Sequence, residues 1–472
     1  MLARFGSMLA RFFRATAPDP FVLAILLTLL TFGLALVWTD ATPRDVVAAW
    51  SGTEGIWASG LLAFALQMCL ILVAGHALAS APLMARVLKR LAAWPNSAKQ
   101  AIGMVALCAA ALGVMNWGLG LIAGAILARE TGRAMERKGV RVHYPLLAAA
   151  GYVGLMVWHG GFSGSAPLTM TDPKFIATTF GAGSGVEPLK LSQTLLSPLN
   201  FVVTGGLLVI APLVLALMSP KADECHALGQ YTLGEGDGAT RVADDPGKPM
   251  LPRLLEDTPI VTVLLLGALF VWAFGFYAPG LTHALTGGAF GDAKAPSGIN
   301  KLGLNEVILT LLMLGLVLHA TPRRYAAAIA DGAGACGGIL LQFPLYFGIL
   351  GVMKLGLVDL MAREIADIAG PDGLPVATFV SAGVVNMFVP SGGGQWAIQG
   401  PIALKSAQDA GIPLEKMVMA VAYGDQLTNM LQPFWALPLL AITGVKAREI
   451  VGYTAVLMVA AALWIGVWLW VM

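Results

Sequence analysis

Charge is in short supply in this chain. Only 12% of its 472 residues are Asp, Glu, Lys or Arg, where about a quarter is usual for a soluble domain. So few polar side chains would leave a soluble protein of this size with too little surface cover. The bilayer must therefore be part of its solvent. The formal net charge is +2, which excludes the strong positive field of a nucleic-acid binder. Cysteine is scarce too. Cys69, Cys108, Cys225 and Cys336 show no CxxC spacing, so neither a disulfide framework nor a zinc site is implied. The six histidines are scattered and no HExxH occurs, so the helical zinc-protease motif is missing.

What is present is apolar sequence, 57% of the chain, with a mean hydropathy of +0.76. Many runs reach the ~20 residues that a spanning helix needs. Spans are expected at 20–39, 56–80, 145–170, 195–218, 257–278, 304–320, 335–357, 417–443 and 450–471. Residues 1–19 read as a basic amphipathic helix on the inner surface, with Arg4, Arg11 and Arg14 among Leu2, Phe5, Phe12 and Phe13. No cleavage site follows, so a removed signal peptide is not expected.

Two apolar stretches differ from the rest. The stretch 100–128 is interrupted at Asn116-Trp-Gly-Leu-Gly120, and 376–404 at Pro390-Ser-Gly-Gly-Gly394. Basic residues flank the first on both sides: Arg86, Lys89, Arg90 and Lys99 before it, Arg129, Arg133, Arg137, Lys138 and Arg141 after it. A simple span would put one cluster outside, whereas a re-entrant hairpin keeps both inside. With two hairpins, the expected inner segments carry twenty of the 29 Lys and Arg residues. The N-terminus is then cytoplasmic and the C-terminus outside. Segment 219–256 is polar and reads as a cytoplasmic linker.

The halves resemble each other. Gly113-Val-Met-Asn116 matches Gly383-Val-Val-Asn386, Leu66-Gln67 matches Leu341-Gln342, and Ile25–Gly33 matches Val307–Gly315. The matches run in chain order at offsets of 270 to 282. The first repeat is 20–218 with hairpin 100–128, and the second is 304–472 with hairpin 376–404. The span at 257–278 connects them and inverts the second. The expected fold is an all-α integral membrane protein of about nine transmembrane helices plus two re-entrant hairpins, a design recurrent in secondary transporters.

Irregular backbone at membrane depth belongs where it is buried in protein or lines a wet cavity. A half-helix starting at such a tip presents free N–H groups and a positive dipole end, which suits a carboxylate. The candidate solute-binding residues at the first tip are Asn116, Trp117, Gly118 and Gly120. Those at the second are Asn386, Ser391, Gly392, Gly393, Gly394, Gln395, Trp396 and Gln399. Close helix packing is the other reading of these glycines. A second pair of interrupted spans is Trp158-His-Gly-Gly-Phe-Ser-Gly-Ser165 and Tyr423–Pro433. It adds Ser163 and Ser165 as solute candidates, and His159, Asp425, Asn429 and Gln432 as coupling-ion candidates. Asp425, Thr428, Asn429 and Gln432 share one helical face. An intramembrane carboxylate is functional by default. It can hold sodium or carry a proton, and sodium also has candidate ligands near Asn116 and Asn386. Trp158, Trp396 and Trp435 read as an apolar wall or as packing. Trp464, Trp468 and Trp470 read as an interfacial belt. Gly161-Phe-Ser-Gly164 also matches the short GxSG of intramembrane serine proteases, a reading that leaves the repeat unexplained.

At these motifs the chain resembles a known family. Pro390-Ser-Gly-Gly-Gly-Gln-Trp-Ala-Ile-Gln-Gly-Pro401 and Ala422-Tyr-Gly-Asp-Gln, with Gln432-Pro-Phe-Trp-Ala-Leu-Pro438, are similar to the signature stretches of bacterial short-chain fatty acid transporters. The resemblance covers nearly the whole chain, apart from the linker and the loop at 279–303. It implies a multi-pass protein of the bacterial inner membrane and not an enzyme. It implies symport of butyrate or acetoacetate with H⁺ or Na⁺. It places the chain in a wider superfamily of hairpin-containing, ion-coupled anion transporters. From that superfamily come a homodimer, scaffold and transport domains, and an elevator movement. Another small carboxylate, or sodium–proton exchange, is the alternative within the superfamily.

Overall fold

The computed structural model describes the chain apart from most of 1–17, most of 172–185, residues 232–247 and most of 291–303. The surface helix expected at 1–19 lies largely outside the described residues, as does the centre of the linker. Among the described residues, every regular element is a helix.

In chain order these are α1 (Pro20–Trp38), α2 (Pro43–Ser51), α3 (Ser59–Ser80), α4 (Pro82–Ala92), α5 (Ala98–Met115) and α6 (Trp117–Arg137). Next come α7 (Tyr144–Gly151), α8 (Ser165–Thr169), α9 (Pro198–Leu217), α10 (Met250–Glu256), α11 (Ile260–Tyr277), α12 (Pro279–Leu285) and α13 (Leu304–His319). The rest are α14 (Pro322–Ala333), α15 (Gly337–Met353), α16 (Leu357–Asn386), α17 (Gly392–Ala410), α18 (Leu414–Thr428), α19 (Pro433–Thr443) and α20 (Ala447–Val471).

Among the described residues, five helices are long and apolar enough to cross a membrane, or up to seven if each of two bent pairs is one span. Two of the nine expected spans are divided, both within the stretches read as interrupted. Segment 145–170 divides into α7, two 3₁₀ turns at Val153–Met156 and Trp158–Gly160, and α8. Segment 417–443 divides at Asn429–Gln432, between α18 and α19. Pro433 opens α19 and its missing N–H ends the hydrogen-bond ladder there. α16 is bent at Gly370, whose φ of 63° lies in the left-handed region that glycine enters at little cost.

The helices pack as two compact units. One comprises Met1–Ala65, Pro95–Tyr231 and Gly338–Met472, the other Leu66–Trp94 and Thr232–Gly337. Each draws on both halves of the chain, so neither unit is a repeat. In the smaller unit, His319 Nε2 meets the Ala77 carbonyl at 2.7 Å and Gln67 Nε2 donates to Asn305 Oδ1 at 2.5 Å. Lys248 and Arg323 both pair with Asp257. On α11, Val263 and Leu264 are exposed, as suits a lipid-facing helix.

The larger unit holds both hairpins. Gly120 packs on Gly113 and Gly124 on Ala109, so α6 runs back along α5. In the same way Gln395 Nε2 donates to the Ala382 carbonyl at 2.8 Å and Gln399 Nε2 to Ser381 Oγ at 3.1 Å, which ties α17 to α16. The repeat is visible in backbone contacts at a constant offset. A Cβ on Gly113 would lie 2.4 Å from the Gly154 carbonyl, and one on Gly383 would lie 3.5 Å from the Gly424 carbonyl. A Cβ on Gly154 would meet the Ala109 carbonyl at 2.8 Å, and one on Gly424 the Phe379 carbonyl at 2.2 Å. Each hairpin's second helix leans on the other repeat: α6 packs on α19, and α17 on α8.

Part of the segment read as a linker is packed. The His226 N–H donates to His143 Nδ1 at 3.1 Å, and Leu228 is buried near Gly132. The terminal tryptophans do not act as one belt. Trp470 is exposed, but the Trp464 indole turns inward, over Gly206, and donates to the Val202 and Val203 carbonyls.

Candidate functional site

The interrupted stretch 158–165 is where both hairpin tips arrive. At the first tip, Asn116 leaves the helical region (φ −159°, ψ 131°), ends α5 and caps α6. Its Oδ1 accepts from the Gly118 and Leu119 N–H groups at 3.0 and 3.2 Å. The Trp117 N–H donates to Ser163 Oγ at 3.0 Å, and the Gly120 N–H to the Asn116 carbonyl at 2.9 Å. With the Asn116 N–H donating to the Leu112 carbonyl at 2.9 Å, the orphan donors of the α6 start are all satisfied within the protein. The carboxylate cradle expected at Asn116, Trp117, Gly118 and Gly120 is not free here. Gly120 serves the close approach of α6 to α5. Asn116 Nδ2 is an amide donor, buried and without a partner, so sodium gains no oxygen ligand from that side chain beyond the Oδ1 already used.

The second tip differs. Ser391 Oγ accepts the Gly394 N–H at 3.2 Å and the Ser391 carbonyl accepts the Gln395 N–H at 2.7 Å. Among the described residues, no acceptor satisfies the N–H groups of Gly392 and Gly393. A Cβ on Gly392 would lie 2.6 Å from the Trp158 ring and 3.0 Å from His159 Cε1, and one on Gly393 would lie 3.8 Å from Ser165 Oγ. Glycine is therefore required for α17 to start against Trp158 and His159. Gln395 and Gln399 use their amides inside the hairpin, Gln395 Nε2 also reaching Gln399 Oε1 at 2.8 Å. Trp396 is buried with its ring over Gly400. These three support the tip from behind.

Beside the tip lies a buried carboxylate–imidazole pair. His159 Nδ1 is 2.5 Å from Asp425 Oδ2, and both residues are at most 1% exposed. His159 Nε2 accepts the Ala166 N–H at 3.0 Å. An acceptor nitrogen carries no proton, so the proton is on Nδ1 and donates to Asp425. The ring stacks on Trp158 at 4.4 Å. Gln426 Oε1 accepts the N–H groups of both His159 and Gly160 at 3.0 Å. Asn200 Nδ2 takes the Gly160 carbonyl at 2.8 Å, and the Tyr423 hydroxyl donates to Asn200 Oδ1 at 3.0 Å. The break in the first repeat is thus held by Gln426 of the second repeat and by Asn200, which Tyr423 of the second repeat in turn supports.

The reverse also holds. The Tyr152 hydroxyl faces the Asn429 and Gln432 carbonyls at 2.9 and 3.1 Å, across the second break. Asn386 Nδ2 sits among the Asp425 carbonyl, Thr428 Oγ1 and Asn429 Oδ1, at 2.6, 2.9 and 2.9 Å. Gln432 Nε2 donates to the Asn386 carbonyl. The polar face 425–432 is therefore gathered round the end of α16, while Asp425 points its carboxylate the other way, to His159. Trp117 and Trp435 meet edge to face at 5.3 Å, whereas Trp158 and Trp396 are engaged separately. Ser163 Oγ is occupied by Trp117, and neither ring nitrogen of His159 addresses it. The serine-protease dyad is not formed.

The profile of the family described as short chain fatty acid transporter matches residues 1–472. The chain belongs to the short-chain fatty acid transporter family. Two relatives carry that name. One, from Escherichia coli K12, is 38% identical over 459 residues, 96% of each chain. The other, from Haemophilus influenzae Rd, is 34% identical over 482 residues, 99% of this chain and all of the relative. The Alcanivorax borkumensis YdaH transporter is similar in structure at a TM-score of 0.41, with 17% identity over 96% of this chain and 98% of its own. Neisseria gonorrhoeae MtrF, described as illuminating a class of antimetabolite efflux pumps, gives 0.41 and 16% over 98% of each. Scores this low do not assign a common fold.

Membership makes this a multi-pass membrane transporter and not an enzyme. In the candidate site, Gln426, Asn200, Tyr423 and Tyr152 are polar residues to which the sequence alone assigned no role. Gln426 had a signal, since an amide next to an intramembrane carboxylate needs partners of its own. The others sit singly in apolar runs, and nothing local marks them.

Proposed function

We propose that this short-chain fatty acid transporter family member is a secondary active importer of small monocarboxylates such as butyrate and acetoacetate, driven by proton symport. The observation that carries the reading is the buried His159–Asp425 contact beside a helix start with two free N–H groups. The Gly392 and Gly393 N–H groups, with Ser165 and Ser391, make an anion cradle of the kind a helix N-terminus supplies. Import of an anion against a negative-inside potential costs about 2.3 kcal/mol per charge per 100 mV, and one proton cancels that charge. Asp425 is the proton site in this reading. His159 already donates through Nδ1, and the Ala166 N–H occupies Nε2, so a second proton on the ring requires α8 to move.

Sodium is the second reading, and one observation favours it: Asn386 Oδ1 is a buried oxygen with no donor, and hard cations take oxygen ligands. The distribution of basic residues, the internal repeat and the family resemblance together supply the remaining elements of the reading. These are inner-membrane placement with the N-terminus inside and the C-terminus outside, inverted orientation of the repeats, an elevator movement of the hairpin-bearing domain, and a homodimer.

Counterflow tests the substrate class without assuming the ion. Liposomes preloaded with unlabelled butyrate should take up external labelled butyrate transiently, and acetoacetate inside should substitute for it. Preloading with a dicarboxylate should not. Equal counterflow with every anion, or none with butyrate, contradicts the assignment.

A further inference from the structure

A cavity of 340 Å³ opens in the larger unit on the far side of the second break, between the start of α1, the turn at 430–433 and the first turns of α20. That volume is in the range of small-molecule sites, which are mostly apolar with a few placed polar groups. Met387, Met430, Leu431 and Val451 supply the apolar wall. Two of its polar groups are already spent. The Tyr152 hydroxyl faces backbone carbonyls, and Thr454 Oγ1 donates to the Met430 carbonyl at 2.5 Å. Two are not. Gln432 is 5% exposed and its Oε1 has no donor, since its amide nitrogen is turned to Asn386. Arg448, at the rim, has no acidic partner among the described residues.

An unpaired guanidinium, an apolar wall and a buried acceptor define an amphiphilic anion. We propose that this cavity is a second carboxylate site, in series with the Asp425 centre and separate from it. The carboxylate pairs with Arg448, as a guanidinium fork favours. The short alkyl chain lies on the methionines, whose flexible thioethers adapt to chains of different length. A water held with the ligand donates to Gln432 Oε1. Gln432 then links the two sites, because the same amide donates to Asn386, and Asn386 donates to the Asp425 carbonyl. The choice of a short monocarboxylate rests on the transport reading above. The same Arg448 chemistry also suits a phosphate, free or on a lipid.

The test uses full-length protein in detergent, with the four native cysteines replaced by serine and Val451→Cys as reporter. A second reporter, Ala447→Cys, is read in parallel so that one misfolded variant does not decide the result. Maleimide labelling is timed against increasing butyrate. Butyrate should slow labelling at both positions. Arg448→Gln should raise the butyrate needed for half protection about tenfold or more, the equivalent of one charge-assisted hydrogen bond, and Arg448→Lys should recover part of it. Asp425→Asn should keep the protection. Loss of protection in Asp425→Asn overturns the separateness of the site. Protection by inorganic phosphate but not by butyrate overturns the carboxylate. If butyrate protects neither reporter while the same protein accumulates butyrate in liposomes, this site is refuted and the transport reading stands.

Discussion

His159 Nε2 accepts the Ala166 N–H at 3.0 Å, and this one contact decides which way the imidazole proton faces. It assigns the ring to Asp425 as a neutral donor. A proton added to Nε2 would bring two N–H groups together.

The tautomer is directly observable. In protein labelled with ¹⁵N-histidine, the resonances that disappear in His159→Asn should be those of a ring protonated at Nδ1 and bare at Nε2. A doubly protonated ring at neutral pH would move the proton site from Asp425 to His159.

Asp425→Asn separates exchange from coupling. The amide is close in size to the carboxylate and can accept from His159 Nδ1, but it cannot carry the proton. Butyrate counterflow should persist in this variant, while gradient-driven accumulation falls to the level of empty liposomes. Asp425→Leu leaves His159 Nδ1 without an acceptor. It should lower thermal stability in detergent further, by about 1.5–3 kcal/mol, the contribution of a hydrogen bond to a charged group.

Gln426→Leu removes the acceptor for two buried N–H groups. Each unsatisfied group costs about 1–3 kcal/mol, and both belong to the segment that presents His159. Lower stability should therefore accompany slower transport. A variant that unfolds at the wild-type temperature would show that water replaces the amide oxygen.

The glycine contacts of the two repeats predict equal intolerance at Gly154 and Gly424. An added methyl group would meet backbone at 2.8 and 2.2 Å, and such overpacking costs about 1–3 kcal/mol. Gly154→Ala and Gly424→Ala should each lower the melting temperature. Gly205→Ala is the control. Nothing lies within 4 Å of its Cβ position, and alanine is about 1 kcal/mol better than glycine within a helix. Equal melting temperatures for all three would remove these contacts as the cause of the conserved spacing between halves.

The interruptions themselves were legible in the sequence. Asn116-Trp-Gly-Leu-Gly120 and Pro390–Gly394 stand out because glycine and proline punctuate long apolar runs, and the structure ends and restarts helices at both. Asp425 was legible because a carboxylate in such a run has no local partner. Which tip could offer free N–H groups was not. That depends on Ser163, 46 residues beyond Trp117, whose hydroxyl occupies the first tip. The partner of Asp425 lies 266 residues away, and one histidine in an apolar run reads equally as packing. An interruption within Tyr423–Pro433 was legible too, but its position at Asn429–Gln432 was not: polar residues three and four apart suit a continuous helix face. Pro433 and the Tyr152 hydroxyl, from the other repeat, favour the break.

The most direct test of the account is concentrative uptake of labelled butyrate by proteoliposomes under an imposed inward proton gradient, with an imposed sodium gradient as the comparison. The account predicts accumulation driven by the proton gradient alone, abolished by an uncoupler and absent in Asp425→Asn. Accumulation that follows sodium and ignores pH, or that survives in Asp425→Asn, would contradict it.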